Sequence, residues 1–307
     1  MDVWTIGAGG LLGSALVRRA QERERSYPAA RIPWASPRDT RETLERELDS
    51  FHRWRRPGPW AVVWAAGAGV IGSSAQALSS EQDVLLGFAA AVAARPHPGG
   101  TFVFASSASV YGDTGGQVAD ERSPTRPLSG YARIKLEQEA ALTALLAGTV
   151  PLAVARISTL YGPGQNVGKG QGLVSTMCAE VISGRPITIF VPLDTQRDYL
   201  YSDDAAARCL HLAEESARGA RVDAATVRVV ASGRTTTIGE VARTVQTVAH
   251  RRAHLLQIQS PARSLHVRQQ VLTTTDDRLR RMALLPLVEG VGRVHADLLR
   301  HQLVRSG

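Results

Sequence analysis

The sequence predicts an α/β fold, a doubly wound parallel sheet joined to a smaller mixed α/β lobe. Three observations carry this reading. Short apolar runs rich in β-formers alternate with helical patterns through the first half of the chain. The chain opens on one such run, Met1 to Ile6, and passes through Gly7, Gly10 and Gly13 directly into an amphipathic helix. A third run, Thr101 to Ser107, ends in hydroxyls, and a polar loop leads from it to a helix that opens Gly130-Tyr131 and carries Lys135.

Each element follows from its local pattern. The glycines after Ile6 permit a tight turn and bring backbone N–H groups at the helix start close to a pyrophosphate. Arg31 to Ser36 reads as a second strand despite Pro33, and Thr40 to Trp54 as a charged amphipathic helix. Trp60 to Gly67 is a buried strand ending in small residues, followed by an apolar helix over Ser79–Arg95. After the central strand and the helix from Tyr131 to about Ala147 come a strand at Leu152–Arg156, a helix at Leu173–Ser183 and a strand at Pro186–Val191. Asp203 and Asp204 cap a helix running through Glu215, Val227–Ser232 is a strand, and Thr236 or Thr237 caps the helix Ile238–Ala249. The last segment holds a short strand, a helix capped at Thr275-Asp-Asp and a terminal helix. Residues 1–162 are expected to form the sheet domain and 163–307 the smaller lobe, with segments near 187–213 and 226–249 returning to the first.

The chemistry concentrates at the central strand and its helix. Tyr131 and Lys135 stand at i and i+4 and share a helix face. A phenol titrates near 10. Lowering that by roughly 3 units requires about 4 kcal/mol, which a fixed ammonium and an oxidised nicotinamide can supply together. Lys135 and Lys169 are the two lysines among 36 basic residues, so a compact ammonium has been kept where arginine is otherwise used. Ser107 is the better candidate for the reacting hydroxyl, with Ser106 second.

Gly7-x-x-Gly10-x-x-Gly13, Ser106-Ser-Ala-Ser-Val-Tyr-Gly112 and Tyr131-x-x-x-Lys135 resemble the extended short-chain dehydrogenase/reductases. More narrowly they resemble the NAD-dependent epimerase/dehydratase family of nucleotide-sugar enzymes. Arg156-Ile-Ser-Thr-Leu-Tyr-Gly-Pro-Gly-Gln165 and Gln196-Arg-Asp-Tyr-Leu-Tyr-Ser-Asp-Asp204 agree. The resemblance implies a Rossmann-like sheet, catalysis by Ser107, Tyr131 and Lys135, and cofactor contacts from Gly7, Gly10, Leu11, Leu12, Gly13, Ala65, Ala66 and Gly67, with Tyr131 and Lys135. It implies substrate contacts at Ser107, Ser109, Thr159 and Arg197, the last on the nucleotide's diphosphate, and a homodimer. Lys169 lies in a glycine-rich loop that reads either as a diphosphate contact or as a plain linker; the loop Gly112–Gly130 covers the substrate or is ordinary surface.

Departures from the family pattern narrow the reaction. Sugar 4,6-dehydratases carry Asp-Glu just after the catalytic hydroxyl, where this chain has Ala108 and Ser109, so elimination lacks its acid/base pair. The family's asparagine near the start of the third helix is replaced by Gln82, Asp83 or Val84, and Arg156-x-x-Thr159 replaces Arg-x-x-Asn. Ser36 and Arg38 stand where a carboxylate normally accepts the ribose hydroxyls of NAD, which favours NADP(H), with Asp39 as the alternative ribose partner and Arg38 then a solvated charge. The leading expectation is a ketoreductase acting on a nucleotide-activated 4-keto sugar. A nucleotide-sugar 4-epimerase with permanently bound NAD, a ketoreductase for a non-sugar natural product, and a non-catalytic dinucleotide-binding protein remain open.

Composition excludes other classes. Net charge is +8, but the arginines are scattered and aromatics make up 5%, against a nucleic-acid surface. There is no run of 18 apolar residues, no export signal and no metal-binding spacing among the eight histidines. Cys178 and Cys209 read as buried thiols of a cytoplasmic protein, and the arginine and alanine bias suggests a GC-rich bacterial genome.

Overall fold

Strand and helix alternate along the first half of the chain, and the turns between them carry the residues of interest. The computed structural model describes residues 1–67, 75–95, 98–169, 172–219, 222–258 and 267–306. The elements up to the middle of the chain are β1 (Asp2–Ile6), α1 (Leu11–Arg23), β2 (Arg25–Ser26), α2 (Pro37–Trp54), β3 (Trp60–Trp64), α3 (Ala75–Ala93), β4 (Gly100–Ser107), β5 (Val118–Ala119), α4 (Gly130–Leu146) and β6 (Leu152–Ile157). There follow β7 (Thr159–Tyr161), α5 (Leu173–Ile182), β8 (Ile187–Ile189), β9 (Gln196–Tyr201), α6 (Ser202–Gly219), β10 (Thr226–Val230), β11 (Thr235–Thr237) and α7 (Ile238–Val248). The chain closes with β12 (Leu255–Gln257), β13 (Val271–Leu272), α8 (Asp277–Arg281) and α9 (Leu287–Ser306).

These form two units, each assembled from separated stretches. The first comprises Met1–Val110, Ser129–Arg156 and Ala206–Arg228; the second comprises Tyr111–Leu128, Ile157–Ala205 and Val229–Gly307.

The first unit is built on a six-stranded sheet of order β10-β6-β4-β3-β1-β2, in which β2, β1, β3 and β4 pair in parallel. From β1 the chain goes through α1 to β2 on one side, then through α2 to β3 on the other. Strand order reverses at β1 and β3, and the crevice beyond their C-terminal ends is where an open α/β sheet binds ligands. All five residues of β1 and of β3 are buried. Trp4 stands at the middle of the core, with Phe88 edge-on at 5.3 Å and Phe51 at 5.8 Å. Burying such a ring contributes roughly 1.5–3 kcal/mol, which fixes the strands from which the site projects.

The second unit holds a three-stranded sheet of order β11-β9-β7 and two short parallel pairs, β12 with β8 and β13 with β5. Its core packs Val174, Met177, Cys178 and Val181 of α5 against Val241 and Val245 of α7 and Val291 and Val294 of α9. Thr237 begins α7 with a capping box: its Oγ1 accepts from the Glu240 N–H while the Glu240 carboxylate accepts from the Thr237 N–H. Asp276 begins α8, its Oδ1 accepting from Leu279 N–H. Burial pushes the thiol of Cys178 here, and that of Cys209 in the first unit, up to about 12.

The second strand differs from expectation. It is Arg25–Ser26, pairing with Asp2 and Val3, and the Tyr27 N–H still bonds Val3 O. Arg31 to Ser36 is not a strand: Trp34 N–H bonds Ile32 O and Ser36 N–H bonds Pro33 O, so the segment turns on itself. Pro28 and Pro33 lack the N–H that a ladder needs, and this limits the strand to the residues before them. Among the described residues no helix is long and apolar enough to cross a membrane.

Candidate active site

The glycine turn is shaped by contacts that leave no room for a side chain. Gly7 has φ +90°, and a Cβ there would lie 2.6 Å from the backbone N of Ala66, at the end of β3. A Cβ on Gly13 would run into the carbonyl of Gly7. Strand end, turn and first helical turn therefore nest backbone on backbone. The Gly10 N–H bonds Gly7 O, and α1 starts at Gly10 with no side-chain cap and no acidic residue in its first turn. Four N–H groups at a helix start have no partner within the helix. Leu11, Leu12 and Gly13 occupy that first turn, Gly9 and Gly10 are exposed, and a Cβ on Gly9 would meet nothing within 4 Å. The turn fits a pyrophosphate, which the positive end of the helix dipole favours. Ala65 and Ala66 are half-buried and Gly67 is exposed just past β3, and the Ala65 N–H bonds Ile6 O.

The residues expected to transfer protons lie in the same unit. Ser107 ends β4; its Oγ accepts from the Ser109 N–H at 3.2 Å, and its hydroxyl acts to lower the pKa of the Tyr131 phenol. Tyr131 and Lys135 sit in the first turns of α4, which begins at Ser129, whose Oγ accepts from the Ala132 N–H. Lys135 is 4% exposed; its Nζ donates to Ala105 O at 3.4 Å and lies 4.8 Å from the Phe104 ring and 5.8 Å from the Tyr131 ring.

The electrostatics run against the simplest expectation. Burial, then the carboxylate of Glu81, push the Tyr131 pKa up to about 12, with the Ser107 hydrogen bond acting the other way. Burial lowers the Lys135 pKa, opposed by Glu81 and Glu139. Within the protein's own groups the phenol is thus held neutral, and a further positive charge is needed to draw it toward phenolate.

Ser106 is engaged elsewhere. Its Oγ donates to Glu139, whose carboxylate takes a bidentate grip on Arg156, with Nη2 to Oε2 at 2.7 Å. Glu139 and Arg156 are about 9% and 10% exposed at their side chains, which ties α4 to β4 and β6 through a buried pair. This arrangement leaves Ser107 as the hydroxyl facing Tyr131. Sequence reasoning missed Glu81 and Glu139. Glu139 stands four residues past Lys135 on the same face, a spacing that would have suggested it.

The other anticipated residues are placed as follows. Ser109 lies in a 3₁₀ turn, Ala108–Tyr111, with a buried Oγ. Asp83 is exposed, whereas Tyr131 is half-buried. Thr159 and Arg197 belong to the second unit, on adjacent strands β7 and β9, where Thr159 pairs with Tyr199. Arg197 Nη1 donates to Gln196 O at 2.8 Å, and burial lowers its pKa against Tyr199 and Asp113. Lys169 ends a 3₁₀ turn, Val167–Lys169, and its side chain is outside the described residues, as are Gly170 and Gln171 of its loop.

Ser36 and Arg38 do not end a strand. Ser36 is the N-cap of α2, its Oγ accepting from the Asp39 N–H at 3.3 Å, and Arg38 pairs with Glu42 at 2.9 Å in the first turn.

Residues 3–227 match the NAD dependent epimerase/dehydratase family, and the chain belongs to that family. It is 34% identical over 113 residues to the uncharacterized UDP-glucose epimerase YtcB of Bacillus subtilis (strain 168), a match covering 36% of this chain and 34% of that one. It is 31% identical over 128 residues to dTDP-L-rhamnose 4-epimerase of Burkholderia thailandensis, covering 41% and 34%. The matched stretches span about a third of the length of these curated relatives. Its fold is similar to that of the UDP-glucose 4-epimerase of Thermus thermophilus in complex with NAD, with TM-score 0.76, 22% identity and coverage of 97% and 99%. The NADP(H) expectation is corrected by these findings: the family is NAD dependent, and the solved relative holds NAD. The physical reason is the position of Ser36 and Arg38, which form a helix start and an ion pair of their own.

Proposed function

We propose that the protein is a nucleotide-sugar 4-epimerase that keeps NAD in the glycine turn through the catalytic cycle. The observation that carries this reading is the grouping in one unit of Ser107 at the end of β4 with Tyr131 and Lys135 in the first turns of α4, Lys135 Nζ lying 5.8 Å from the Tyr131 ring, with no carboxylate at positions 108 and 109. One acid/base group is enough for reversible oxidation of an alcohol; elimination of water needs a second. Withdrawal of the NADP(H) expectation removes the support that favoured a ketoreductase.

Leu11, Leu12 and Gly13 present their N–H groups to the pyrophosphate, with Gly7, Gly10 and Ala65 to Gly67 as the close-packed wall. Held by these residues, NAD would supply the hydride acceptor for sugar C4 and the hydride donor to the opposite face of the keto sugar. Tyr131 removes the proton from the C4 hydroxyl as the C4–H bond breaks, and gives it back in the second half. Ser107 holds the C4 oxygen by a hydrogen bond, Lys135 favours the phenolate, and Ser109 meets the sugar. Thr159, Lys169 and Arg197 of the second unit stay as expected substrate contacts, Arg197 for a diphosphate, where a guanidinium fits two oxygens at once.

The test is incubation of purified protein, without added cofactor, with UDP- and dTDP-activated hexoses, following C4 configuration by NMR. Inversion at C4 that falls a hundredfold or more in Tyr131→Phe, with NAD binding retained, is expected from acid–base losses of roughly 10² to 10⁴. Net consumption of added NADH with a keto sugar, and no inversion, would overturn the reading.

A further inference from the structure

The loop Gly112–Gly130 reads from sequence as a substrate cover or as ordinary surface, and its first residues are tied down in the second unit. Asp113 is half-buried, and its carboxylate accepts twice: Oδ2 from the Arg268 N–H at 2.7 Å and Oδ1 from the Gly115 N–H at 2.9 Å. The Thr114 N–H donates to Gln269 O at 2.9 Å, and its Oγ1 accepts from the Val271 N–H at 3.2 Å. Strands β5 and β13 continue the pairing, Val118 with Val271 and Ala119 with Leu272.

The same segment, Arg268 to Gln270, also grips the start of β9. The Gln196 N–H donates to Arg268 O at 2.9 Å, the Gln270 N–H to Gln196 O at 3.2 Å, and the Arg268 guanidinium pairs with Asp194 at 2.7 Å. Arg268 is thus a hub: Asp113 fixes its N–H, Gln196 its carbonyl and Asp194 its side chain. Gln196 O accepts in addition from Arg197 Nη1 at 2.8 Å, so the carbonyl that receives the segment is the one on which the Arg197 guanidinium rests. On its other edge Gln196 pairs with Thr237 of β11. Burial raises the Asp113 pKa, but the N–H groups of Arg268, Gly115 and Gln269 and the charge of Arg197 outweigh it and hold the carboxylate below its ordinary value.

We propose that Asp113 is a positioning residue for Arg197: through Arg268 and Gln196 it sets the guanidinium to receive the diphosphate of a nucleotide-activated substrate. The inference rests on the proposed function, in which Arg197 is the expected diphosphate contact. A guanidinium meets two oxygens at once only in one orientation, and fixing that orientation before the ligand arrives removes an ordering cost from binding. The gain falls on affinity. Arg197 neither moves the proton nor holds the C4 oxygen, so the chemical step is left as it is.

The test is a double-mutant cycle on the full chain. Binding of UDP and of dTDP is measured by calorimetry in wild type, Asp113→Ala, Arg197→Ala and the double variant, with kcat and KM for the matching sugar nucleotide. Asp113→Ala should weaken the nucleotide about tenfold, the worth of one hydrogen bond to a charged group, raise KM alike and leave kcat within about twofold. In the Arg197→Ala background the same substitution should cost almost nothing further, because the group it positions is gone. Asp113→Asn keeps the shape and one acceptor; it should fall between, and it carries the same cycle if Asp113→Ala does not fold. Unchanged affinity in the Asp113 variants, additive losses in the two backgrounds, or a fall in kcat as large as the rise in KM would overturn the role assigned to Asp113. Unchanged affinity in Arg197→Ala, or a wild-type protein that binds neither nucleotide, would instead sink the diphosphate contact of the proposed function.

Discussion

Helix α1 begins at Gly10, with no side-chain cap and no carboxylate in its first turn, whereas α2 begins at Ser36, capped by the serine itself, with Pro37 at its first position and Asp39 in its first turn. The α2 start is closed by its own chain. Its Oγ takes the Asp39 N–H, its carboxylate complements the dipole, and Arg38 is paired with Glu42. The α1 start has none of this, and the residues around it are glycines whose missing side chains let backbone pack on backbone. An uncapped helix start held in so close a nest points to an anion from outside, and a capped one does not. The contrast also explains why Ser36 and Arg38 misled: serine and arginine at a strand end would read a ribose, but the same pair at a helix start is ordinary capping.

The contrast can be broken at either end, and the largest effect belongs to the open one. Gly7→Ala places a Cβ among Ala65 and Ala66 at a φ of +90°, which should part the ends of β1 and β3 and weaken NAD binding about tenfold or more, measured by calorimetry. Next comes the buried pair behind the site. Glu139→Ala removes the carboxylate that grips the Arg156 guanidinium, about 10% exposed, and should cost about 3–5 kcal/mol in urea unfolding. Removing a carboxylate that Ser106 and Arg156 share should also loosen β4 against α4 and lower turnover. Little or no loss of stability would mean that the pair is not desolvated as described. The smallest effect lies at the closed end. Ser36→Ala should cost about 1 kcal/mol of stability, the worth of a cap, with NAD affinity unchanged. A large loss of NAD affinity there would return Ser36 to the cofactor site.

Much of this was legible before the structure. Strands β1, β3, β4 and β6 are buried apolar runs with β-branched and aromatic residues, and each ends within a few residues of its expected position. The glycine turn and the Tyr131–Lys135 spacing are local features, so the sequence shows them directly. What stayed hidden was set by long-range contacts. The two-residue β2 leaves almost no pattern, and the run Arg31–Ser36 mimics a strand because Ile32 is buried while the prolines on either side forbid pairing. Glu81 is 50 residues from Tyr131 in sequence, and only the packing of α3 on α4 lets its charge act on the phenol. The choice between Ser106 and Ser107 likewise depends on which face of β4 meets Glu139.

The central claim is that the uncapped start of α1 holds NAD throughout the cycle. Denaturing the freshly purified protein and identifying any dinucleotide released tests it most directly. Near-stoichiometric NAD is the expected result; an empty protein that binds NADPH in preference to NAD⁺ would contradict it.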